Sequence, residues 1–305
     1  MNSLQTEDSA VREVSLNILF LLCLCLPAMT ARAQEKSVSV VSSSGMQTYC
    51  IPVRTVAEED LAFGAGEQMT FTMHYEWGVI NSDIGTAVVK MDTVRYNGVK
   101  AFHCSADGKT TRLYDLFFKV REDFDAWFAC DGLRPLKFTR DTYEGGYVAR
   151  NTYMFDWNEP DPHIVADVYS SSRGERSLQL PLTPCTFDLP TLFFFARNMD
   201  IDNIVPGEKY PMTFAIDDDV YNVYFILYGR ERIKVKGLGT VDTIKFAARL
   251  LAGEVFNGEE DMMIWVSDDD NRIPVQFEAP ILVGTASGRL KSCSGLKHPF
   301  TSLVK

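Results

Sequence analysis

Apolar and polar residues alternate along most of the chain from about residue 62 onward. In FTMHYEWG, residues 71–78, the side chains on one side of an extended backbone are all large and apolar: Phe71, Met73, Tyr75 and Trp77. A period of two residues is typical of a β-strand with one buried face. Similar runs, separated by turn residues, continue to about residue 294. This pattern predicts a mainly β protein of about eleven strands, arranged as an antiparallel, strongly curved sheet, an open barrel or a sandwich.

Turn residues and short helical segments interrupt the predicted strands. Asn97-Gly98 supplies the two positive φ angles of a type I′ turn, which predicts a hairpin, and Gly145-Gly146 separates a second pair of strands. One short helix is predicted over residues 187–199, because Asp188 is a suitable N-cap for the apolar run that follows it. A second, shorter helical turn is predicted within residues 112–118.

The N-terminal region predicts export. Residues 16–29 form an apolar run of 14 residues, and the A-x-A sequence at residues 31–33 fits the cleavage site of a signal peptidase. The run is shorter than the roughly 20 residues that cross a bilayer. We therefore predict a signal peptide over residues 1–33, no transmembrane segment after its cleavage, a flexible leader over residues 34–61 and a single β-rich domain over residues 62–305. The predicted location is the periplasm or the outer membrane of a bacterium.

Charge and cysteine content restrict the classes of partner. The net charge of −11 argues against nucleic acid and against anionic lipid surfaces, because like charges repel. Removal of the signal peptide leaves five cysteines, which are Cys50, Cys104, Cys130, Cys185 and Cys293. An odd number leaves at least one thiol outside any intramolecular disulfide, and the lack of C-x-x-C spacing argues against a zinc ribbon or a thioredoxin-like site. We expect mostly buried free cysteines with one disulfide at most.

Two aspartate triplets, Asp217–Asp219 and Asp268–Asp270, are the densest chemical signals in the chain. An EF-hand calcium loop beginning at the second triplet needs glycine at its sixth position and glutamate at its twelfth, where this chain has Ile273 and Ala279. Aspartate favours turns because its side chain accepts hydrogen bonds from nearby backbone N–H groups. We interpret both triplets as turns, with a calcium site or a catalytic role as the alternatives. If the 268–270 turn is structural, Asp269→Ala is expected to cost little, within about 1 kcal/mol.

Other catalytic or metal-binding arrangements are weaker. His74 and Glu76 share one strand face, but no third ligand follows at an informative spacing, so neither a metal nor a cofactor is predicted. The acidic groups at residues 122–125 and 259–261 imitate the carboxylate pair of a glycosidase, although acidic side chains on the polar face of a strand are commoner. The sequence contains neither a G-x-S-x-G nucleophile motif nor a P-loop, and no catalytic residue is assigned.

Aromatic residues point towards a binding role. Phe193, Phe194 and Phe195 are consecutive, so they cannot all face the same side of a helix, and at least one ring is expected to meet another layer or a cavity. The two alternatives are core packing and an apolar ligand pocket. The residues assigned to such a pocket are Phe193, Phe194, Phe195, Trp77 and Tyr75.

Several stretches together resemble a family of exported bacterial proteins, the domain of unknown function 3108 (DUF3108). The segment WVSDDDNRIPV, residues 265–275, resembles its signature, in which a strand ends in an aspartate-containing turn and resumes with an Ile-Pro-Val-like run. Gly66-Glu67, residues 113–127 and residues 187–197 resemble further family segments in the same order. The residues that carry the resemblance are Trp265, Asp268, Asp269, Ile273, Pro274, Asp188 and Arg197. The resemblance implies an exported, β-rich envelope protein without assigned catalytic residues.

Two classes of function agree with these observations. The preferred one is a non-catalytic binding module that holds a lipid, another apolar ligand or an envelope protein. The second is an enzyme that acts on envelope polymers, and a structural interaction protein without a pocket is a third alternative. A deep apolar pocket favours the binding module, whereas a polar cleft with two carboxylates of shifted pKa favours the enzyme.

Overall fold

The computed structural model describes residue 53 and residues 57–250, 262–280 and 284–304. The predicted signal peptide, most of the predicted leader, Cys50 and the acidic group at residues 259–261 lie outside the described residues. The predicted division of the chain therefore stays a prediction. Within the described ranges, none of the helices is both long enough and apolar enough to cross a membrane.

The described residues form one sheet of sixteen strands with two short α-helices. The strands are β1 Gln68–Trp77, β2 Ile80–Tyr96, β3 Val99–Thr110, β4 Val120–Ala129, β5 Pro135–Glu144, β6 Tyr147–Asp156, β7 His163–Ser170, β8 Gly174–Pro181, β9 Thr186–Phe187, β10 Lys209–Ile216, β11 Asp219–Val235, β12 Gly239–Leu250, β13 Met262–Ser267, β14 Pro274–Pro280, β15 Thr285–Ser294 and β16 Leu303–Val304. The α-helices are α1 Arg112–Asp115 and α2 Leu189–Ala196, and the short 3-10 helices are Glu58–Asp60 and Ile201–Asn203.

The sheet is open and almost entirely antiparallel. Its strands lie side by side in the order β8-β7-β6-β5-β4-β3-β2-β1-β15-β14-β13-β12-β11-β10-β9, with β16 paired to β12. Only β9 and β10 pair in parallel among the described strands. The mainly β, antiparallel prediction is confirmed, but the predicted count of about eleven strands is too low. β9 and β16 have two residues each, which is too short to show an alternation.

The sheet curls until the β10–β11 turn reaches the inner face of strands at the other side. Arg140 on β5 forms an ion pair with Asp217 in that turn, with Nη1 2.5 Å from Oδ1. The next residue, Asp218, accepts from Arg173 and from Arg176, each at 2.6 Å. These contacts join the two halves of an open sheet, so the fold is barrel-like without a continuous hydrogen-bonded wall.

The concave face of the sheet encloses the apolar core. On β1, Phe71, Met73 and Tyr75 are buried as the alternation predicts, but Trp77 at the end of the strand is 52% exposed. α2 packs against β3, β4 and β10. Its N-cap is Asp188, whose side chain accepts a hydrogen bond from the backbone of Thr191 at 2.8 Å. Both predicted helical segments are therefore confirmed, with shorter bounds.

Two predicted turns have the expected backbone geometry. Asn97 and Gly98 join β2 to β3 with φ angles of 48° and 84°, as a type I′ turn requires. Gly145 joins β5 to β6 with a φ of 55°. A Cβ atom there would lie 1.9 Å from the ring of Phe118, so this close approach requires glycine.

Connections alternate between two ends of the sheet, because neighbouring strands run in opposite directions. The β1–β2, β3–β4, β5–β6, β7–β8 and β10–β11 connections lie at one end, which we call the α1 end because it carries α1. The β13–β14 turn and the start of β1 lie at the opposite end. The two ends differ in chemistry, as the next sections describe.

Candidate functional site

The three consecutive phenylalanines of α2 lie in the core. Phe194 is 0% exposed, and its ring centroid lies 4.7 Å from that of Phe63 and 6.1 Å from that of Phe128. Phe195 is buried against Phe187 at 4.6 Å. Phe193 is half-buried and packs edge-on against Phe194 at 5.1 Å. These rings are in contact with one another, which favours core packing over the pocket alternative.

The other two residues assigned to a pocket lie on β1. Tyr75 is buried, whereas Trp77 lies at the α1 end with about half of its surface exposed. α2 packs against β3, β4 and β10. The structure therefore places the five assigned aromatic residues in different surroundings, three on α2, one in the wall of the sheet and one on its rim.

A buried ion pair connects the family segments at the opposite end. Arg197, which caps the C-terminus of α2, donates to Glu67 through Nη1 and through Nη2, the latter at 2.9 Å. The same guanidinium donates to the backbone oxygen of Asn271 from Nε at 3.0 Å and from Nη2 at 2.8 Å. Both charged side chains are almost fully buried. A two-pronged pair of this kind fixes the relative position of three distant segments.

Asp269 extends this network to the C-terminal residues. Its Oδ1 accepts from Ser267 Oγ at 2.8 Å and from the backbone N–H of Asn271 at 3.1 Å. Its Oδ2 accepts from the backbone N–H of Ser302 at 3.2 Å and from its hydroxyl at 2.8 Å. The network of Glu67, Arg197, Asp269, Asn271 and Ser302 is called the hub below. Asp269 is thus a buried structural residue. The expectation that Asp269→Ala lowers the free energy of unfolding only slightly is therefore wrong, and we expect a larger loss.

The neighbours of Asp269 behave differently. Asp268 pairs with Arg230 at 2.9 Å and with Arg272 at 3.4 Å, and Asp270 is exposed. Trp265 lies away from the hub and donates to Glu231 at 2.5 Å. The remaining signature residues, Ile273 and Pro274, are buried directly after the turn. The family signature therefore marks the turn that joins β13 and β14 to α2 and to the segment around Ser302.

A small polar cleft lies beside the hub. Its volume is about 110 Å³, and its lining includes Asp60, Arg197, Asp270, Arg272 and His298. Typical small-molecule sites have volumes of about 300–1,000 Å³. The cleft is too small for such a ligand, and its mixed charges favour no particular ion.

The remaining family residue, Asp188, is fully buried. Burial raises the pKa of its carboxyl group to about 7, although the hydrogen bonds from Thr191 act in the opposite direction. Both Thr191 donors, the backbone N–H and the hydroxyl, lie 2.8 Å from the carboxylate oxygens. Asp188 caps the N-terminus of α2, which explains why an aspartate stands at this point of the family helix.

A second polar network lies inside the curl, near the α1 end. Arg140 Nε donates to Thr142 Oγ1 at 2.7 Å, and that hydroxyl donates to Glu122 Oε2 at 2.6 Å. Asn151 Nδ2 donates to the Asp217 carboxylate at 3.2 Å. We call the group formed by Glu122, Arg140, Thr142, Glu144, Asn151 and Asp217 the inner cluster. All six side chains are almost completely buried, so Asp217 of the first aspartate triplet also lies in the interior.

Two carboxyl groups of the inner cluster, those of Glu122 and Glu144, have raised pKa values. Burial raises the pKa of Glu122, with the charge of Glu144 as the next cause, and burial also raises the pKa of Glu144. Glu122 Oε1 and both oxygens of Glu144 have no hydrogen-bond partner among the described residues. Carboxyl groups with raised pKa values suit acid–base chemistry, but the two residues are only 3% and 2% exposed, which excludes a substrate in this conformation.

The acidic group at residues 122–125 is divided between the two faces of β4. Glu122 faces inward, whereas Asp123 faces outward between Asp107 and Asp141 on the neighbouring strands. Burial, followed by the contact with Asp107, raises the pKa of Asp123 to about 6. Adjacent residues of one strand cannot flank a substrate from opposite sides of a sheet. Asp125 shares the outward face with Asp123 and contacts His103 at 2.7 Å. The structure therefore does not pair Glu122 with Asp123 or with Asp125.

The cysteines agree with the expected pattern in the described part of the chain. Cys104 and Cys130 are buried free thiols, Cys293 is a half-buried free thiol, and Cys185 is disulfide-bonded. Burial raises the pKa of the Cys104 thiol well above its ordinary value. A raised pKa lowers the thiolate fraction, so Cys104 is poorly suited to act as a nucleophile.

The α1 end exposes a group of large apolar side chains. Leu113 is 64% exposed, Leu116 79% and Phe117 76%. Further exposed apolar residues lie at the β1–β2 turn of the same end: Trp77, Val79 and Ile80. We call these six residues the apolar patch. Sequence alternation does not identify the patch, because Leu113, Leu116, Phe117 and Val79 lie in connections between strands, and Trp77 and Ile80 are strand-end residues beside a turn.

The segment that carries half of the patch is held in a defined conformation. The Asp115 carboxylate accepts from Arg121 Nη1 at 2.9 Å and from Nη2 at 2.5 Å, and the Thr110 hydroxyl donates to it at 2.5 Å. The hydrogen bond from Arg121 is the main cause that lowers the pKa of Asp115 to about 2. The backbone N–H of Phe118 also donates to the carbonyl of Tyr114 at 2.8 Å. Leu113, Leu116 and Phe117 are therefore presented to solvent by an organised turn.

A family model named as a protein of unknown function, DUF3108, matches residues 70–291. The chain belongs to the DUF3108 family. The match contains the inner cluster, α1 and three of the five hub residues, while Glu67 and Ser302 lie just outside it. No curated protein matches the chain.

Solved structures similar to this DUF3108 protein include a β-barrel-like protein of the domain of unknown function DUF1849 from Brucella abortus, with a TM-score of 0.49 and 13% identity over 75% of this chain and 97% of that one. Another is a proposed exported protein with a YmcC-like fold from Bacteroides fragilis, with a TM-score of 0.33 and 8% identity over 76% of this chain and 97% of that one. A third is a proposed lipoprotein from Parabacteroides distasonis, with a TM-score of 0.29 and 11% identity over 77% of this chain and 99% of that one. At these levels of similarity no function is transferred.

Proposed function

We propose that this DUF3108 protein is an exported, non-catalytic binding protein that attaches to an apolar partner through the apolar patch. The observation that carries the proposal is the exposure of Leu113, Leu116 and Phe117 on an organised turn. Contiguous exposed apolar residues on a soluble protein are typical of interaction sites. Leaving them in water is unfavourable by roughly 1.5–3 kcal/mol for each fully exposed side chain.

Several features support binding at the surface rather than inside the sheet. The α2 rings that were candidates for an internal pocket pack against Phe63, Phe128 and Phe187. The carboxyl groups of Glu122 and Glu144, whose pKa values are raised, are buried in the inner cluster that the β10–β11 turn covers. The internal-ligand and enzyme alternatives are therefore less favoured than attachment to a partner surface.

Export is supported by the apolar run at residues 16–29, the A-x-A sequence at residues 31–33 and the disulfide at Cys185. Disulfides persist in oxidising compartments such as the periplasm. N-terminal sequencing of the protein recovered from the envelope fraction tests this part. We expect Gln34 as the first residue, and a mature protein that still begins with Met1 would contradict export by this signal.

Binding is tested by sedimentation of the purified mature protein with washed bacterial envelope fragments. We expect the double variant Leu116→Ser, Phe117→Ser to lower the bound fraction at least about tenfold, because two apolar contacts are removed. A matched control, Val205→Ser, Tyr228→Ser, changes two side chains that are 51% and 54% exposed elsewhere and should bind like the wild type. Equal binding by all three proteins would refute the proposed site.

A further inference from the structure

The charges near α1 differ from the charge of the whole chain. Residues 109–121, KTTRLYDLFFKVR, contain four basic residues and one acidic residue. Asp115 forms an ion pair with Arg121. The other three basic side chains, Lys109, Arg112 and Lys119, are exposed. The net charge of −11 is a sum over a molecule several Debye lengths wide, and a Debye length is only about 8 Å at physiological salt. The expectation that anionic surfaces are repelled therefore does not apply to residues 109–121.

The apolar side chains of this segment share one face. Leu113, Leu116 and Phe117 have the spacing i, i+3, i+4, which places them on the same side of a helical turn. The side chains that flank them are basic, and Lys119 Nζ lies 5.3 Å from the ring centroid of Tyr143, which is 38% exposed. Apolar residues in the centre with lysine, arginine and aromatic residues around them are the composition of segments that lie in a membrane interface.

The basic rim distinguishes a lipid surface from a protein surface. Lysine is depleted in protein–protein interfaces. At a bilayer, by contrast, a lysine side chain lays its aliphatic stem along the apolar boundary and keeps its ammonium group among the phosphates. Three basic residues around three exposed apolar residues therefore fit a bilayer better than they fit a folded partner.

We infer that the α1 end binds the surface of an anionic lipid bilayer. Leu113, Leu116 and Phe117 enter the boundary between headgroups and acyl chains, while Lys109, Arg112 and Lys119 contact lipid phosphates. Trp77 and Val79 of the β1–β2 turn lie at the same end and add to the contact. This inference rests on the proposed function, because it identifies the partner of the apolar patch.

The test uses the mature protein in flotation with vesicles of phosphatidylglycerol and phosphatidylcholine in equal parts, and with vesicles of phosphatidylcholine alone. We expect binding to the anionic vesicles that is at least about tenfold stronger than binding to the neutral ones. Raising the salt from about 50 mM to about 500 mM should weaken it severalfold, because the Debye length shortens.

Three variants locate the binding surface. Leu116→Ser, Phe117→Ser should lower binding at least about tenfold to both kinds of vesicle, and Lys109→Gln, Arg112→Gln, Lys119→Gln should remove the preference for the anionic one. The control Val205→Ser, Tyr228→Ser should bind like the wild type. All substituted side chains are exposed, and unchanged thermal unfolding checks that each variant is folded.

The outcomes separate this inference from the proposed function. Patch-dependent binding to envelope fragments without binding to any lipid vesicle would overturn the inference, leave the proposed function intact and identify a protein partner. Equal binding to neutral and anionic vesicles, or vesicle binding that the patch variant retains, would also overturn the inference. Failure to bind both envelope fragments and vesicles would reject the proposed function together with the inference.

Discussion

Replacement of Asp269 by alanine tests whether the hub is a structural element. The carboxylate accepts four hydrogen bonds, from Ser267, from Asn271 and twice from Ser302. Hydrogen bonds to charged groups contribute about 1.5–3 kcal/mol each, but bonds on one carboxylate are not additive. Alanine leaves the donors of Ser267, Asn271 and Ser302 without this acceptor. Water can replace the acceptor for some of them, which reduces the loss. At about 1–3 kcal/mol for each buried donor left unsatisfied, we expect the free energy of unfolding to fall by about 3–5 kcal/mol in total.

The measurement is equilibrium unfolding in urea with fluorescence and circular dichroism as two probes. Asp270→Ala is the matched control, because this neighbour in the same triplet is exposed and its replacement should cost less than about 0.5 kcal/mol. Asp269→Asn retains one acceptor oxygen and should fall between the two. A loss below about 1 kcal/mol for Asp269→Ala, with an unchanged denaturant slope, would refute the reasoning.

Three further predictions address the core, the helix cap and the hub. Phe194→Ala should lower the free energy of unfolding by about 3–5 kcal/mol, whereas Phe117→Ala on the exposed turn should change it by less than about 0.5 kcal/mol; similar losses in urea titrations would contradict the core assignment. Because burial raises the pKa of Asp188 to about 7, the folded state retains a proton that the unfolded state has released, and this stabilisation is lost as the pH rises from about 4 to about 7. Asp188→Asn should remove that part of the pH dependence, and an unchanged difference between the proteins at pH 5 and pH 8 would argue against it. Arg197→Lys should destabilise by about 3–5 kcal/mol because one ammonium group cannot replace the two-pronged contact with Glu67, and thermal unfolding at fixed pH measures it.

The sequence predicted the class of fold because alternation is a local property. The period of two residues on β1 and the Asn97-Gly98 turn can be recognised without any knowledge of distant residues. Part of the underestimated strand count comes from the two-residue strands β9 and β16, which form only where a neighbouring backbone lies beside them. Family segments indicated which residues matter, but not that Glu67 and Arg197, 130 residues apart, form an ion pair.

The inner cluster and the apolar patch show two different limits of sequence analysis. On β5, Arg140, Thr142 and Glu144 follow Phe138 on one face, and alternation alone assigns such a face to neither the core nor the solvent. Only the curl of the sheet, which brings Asp217 over these residues, makes that face an interior. The patch was overlooked for the opposite reason, since apolar residues in a helical turn are usually assigned to the core.

The position of Ser302 determines when the fold can be completed. Two of the four hydrogen bonds on Asp269 come from this residue, which lies 235 positions after Glu67 in the chain. Pairings between such distant residues form slowly, because the intervening chain must first be ordered. The hub cannot close until Ser302 has been brought back to the β13–β14 turn, so we expect its closure to be a late step of folding.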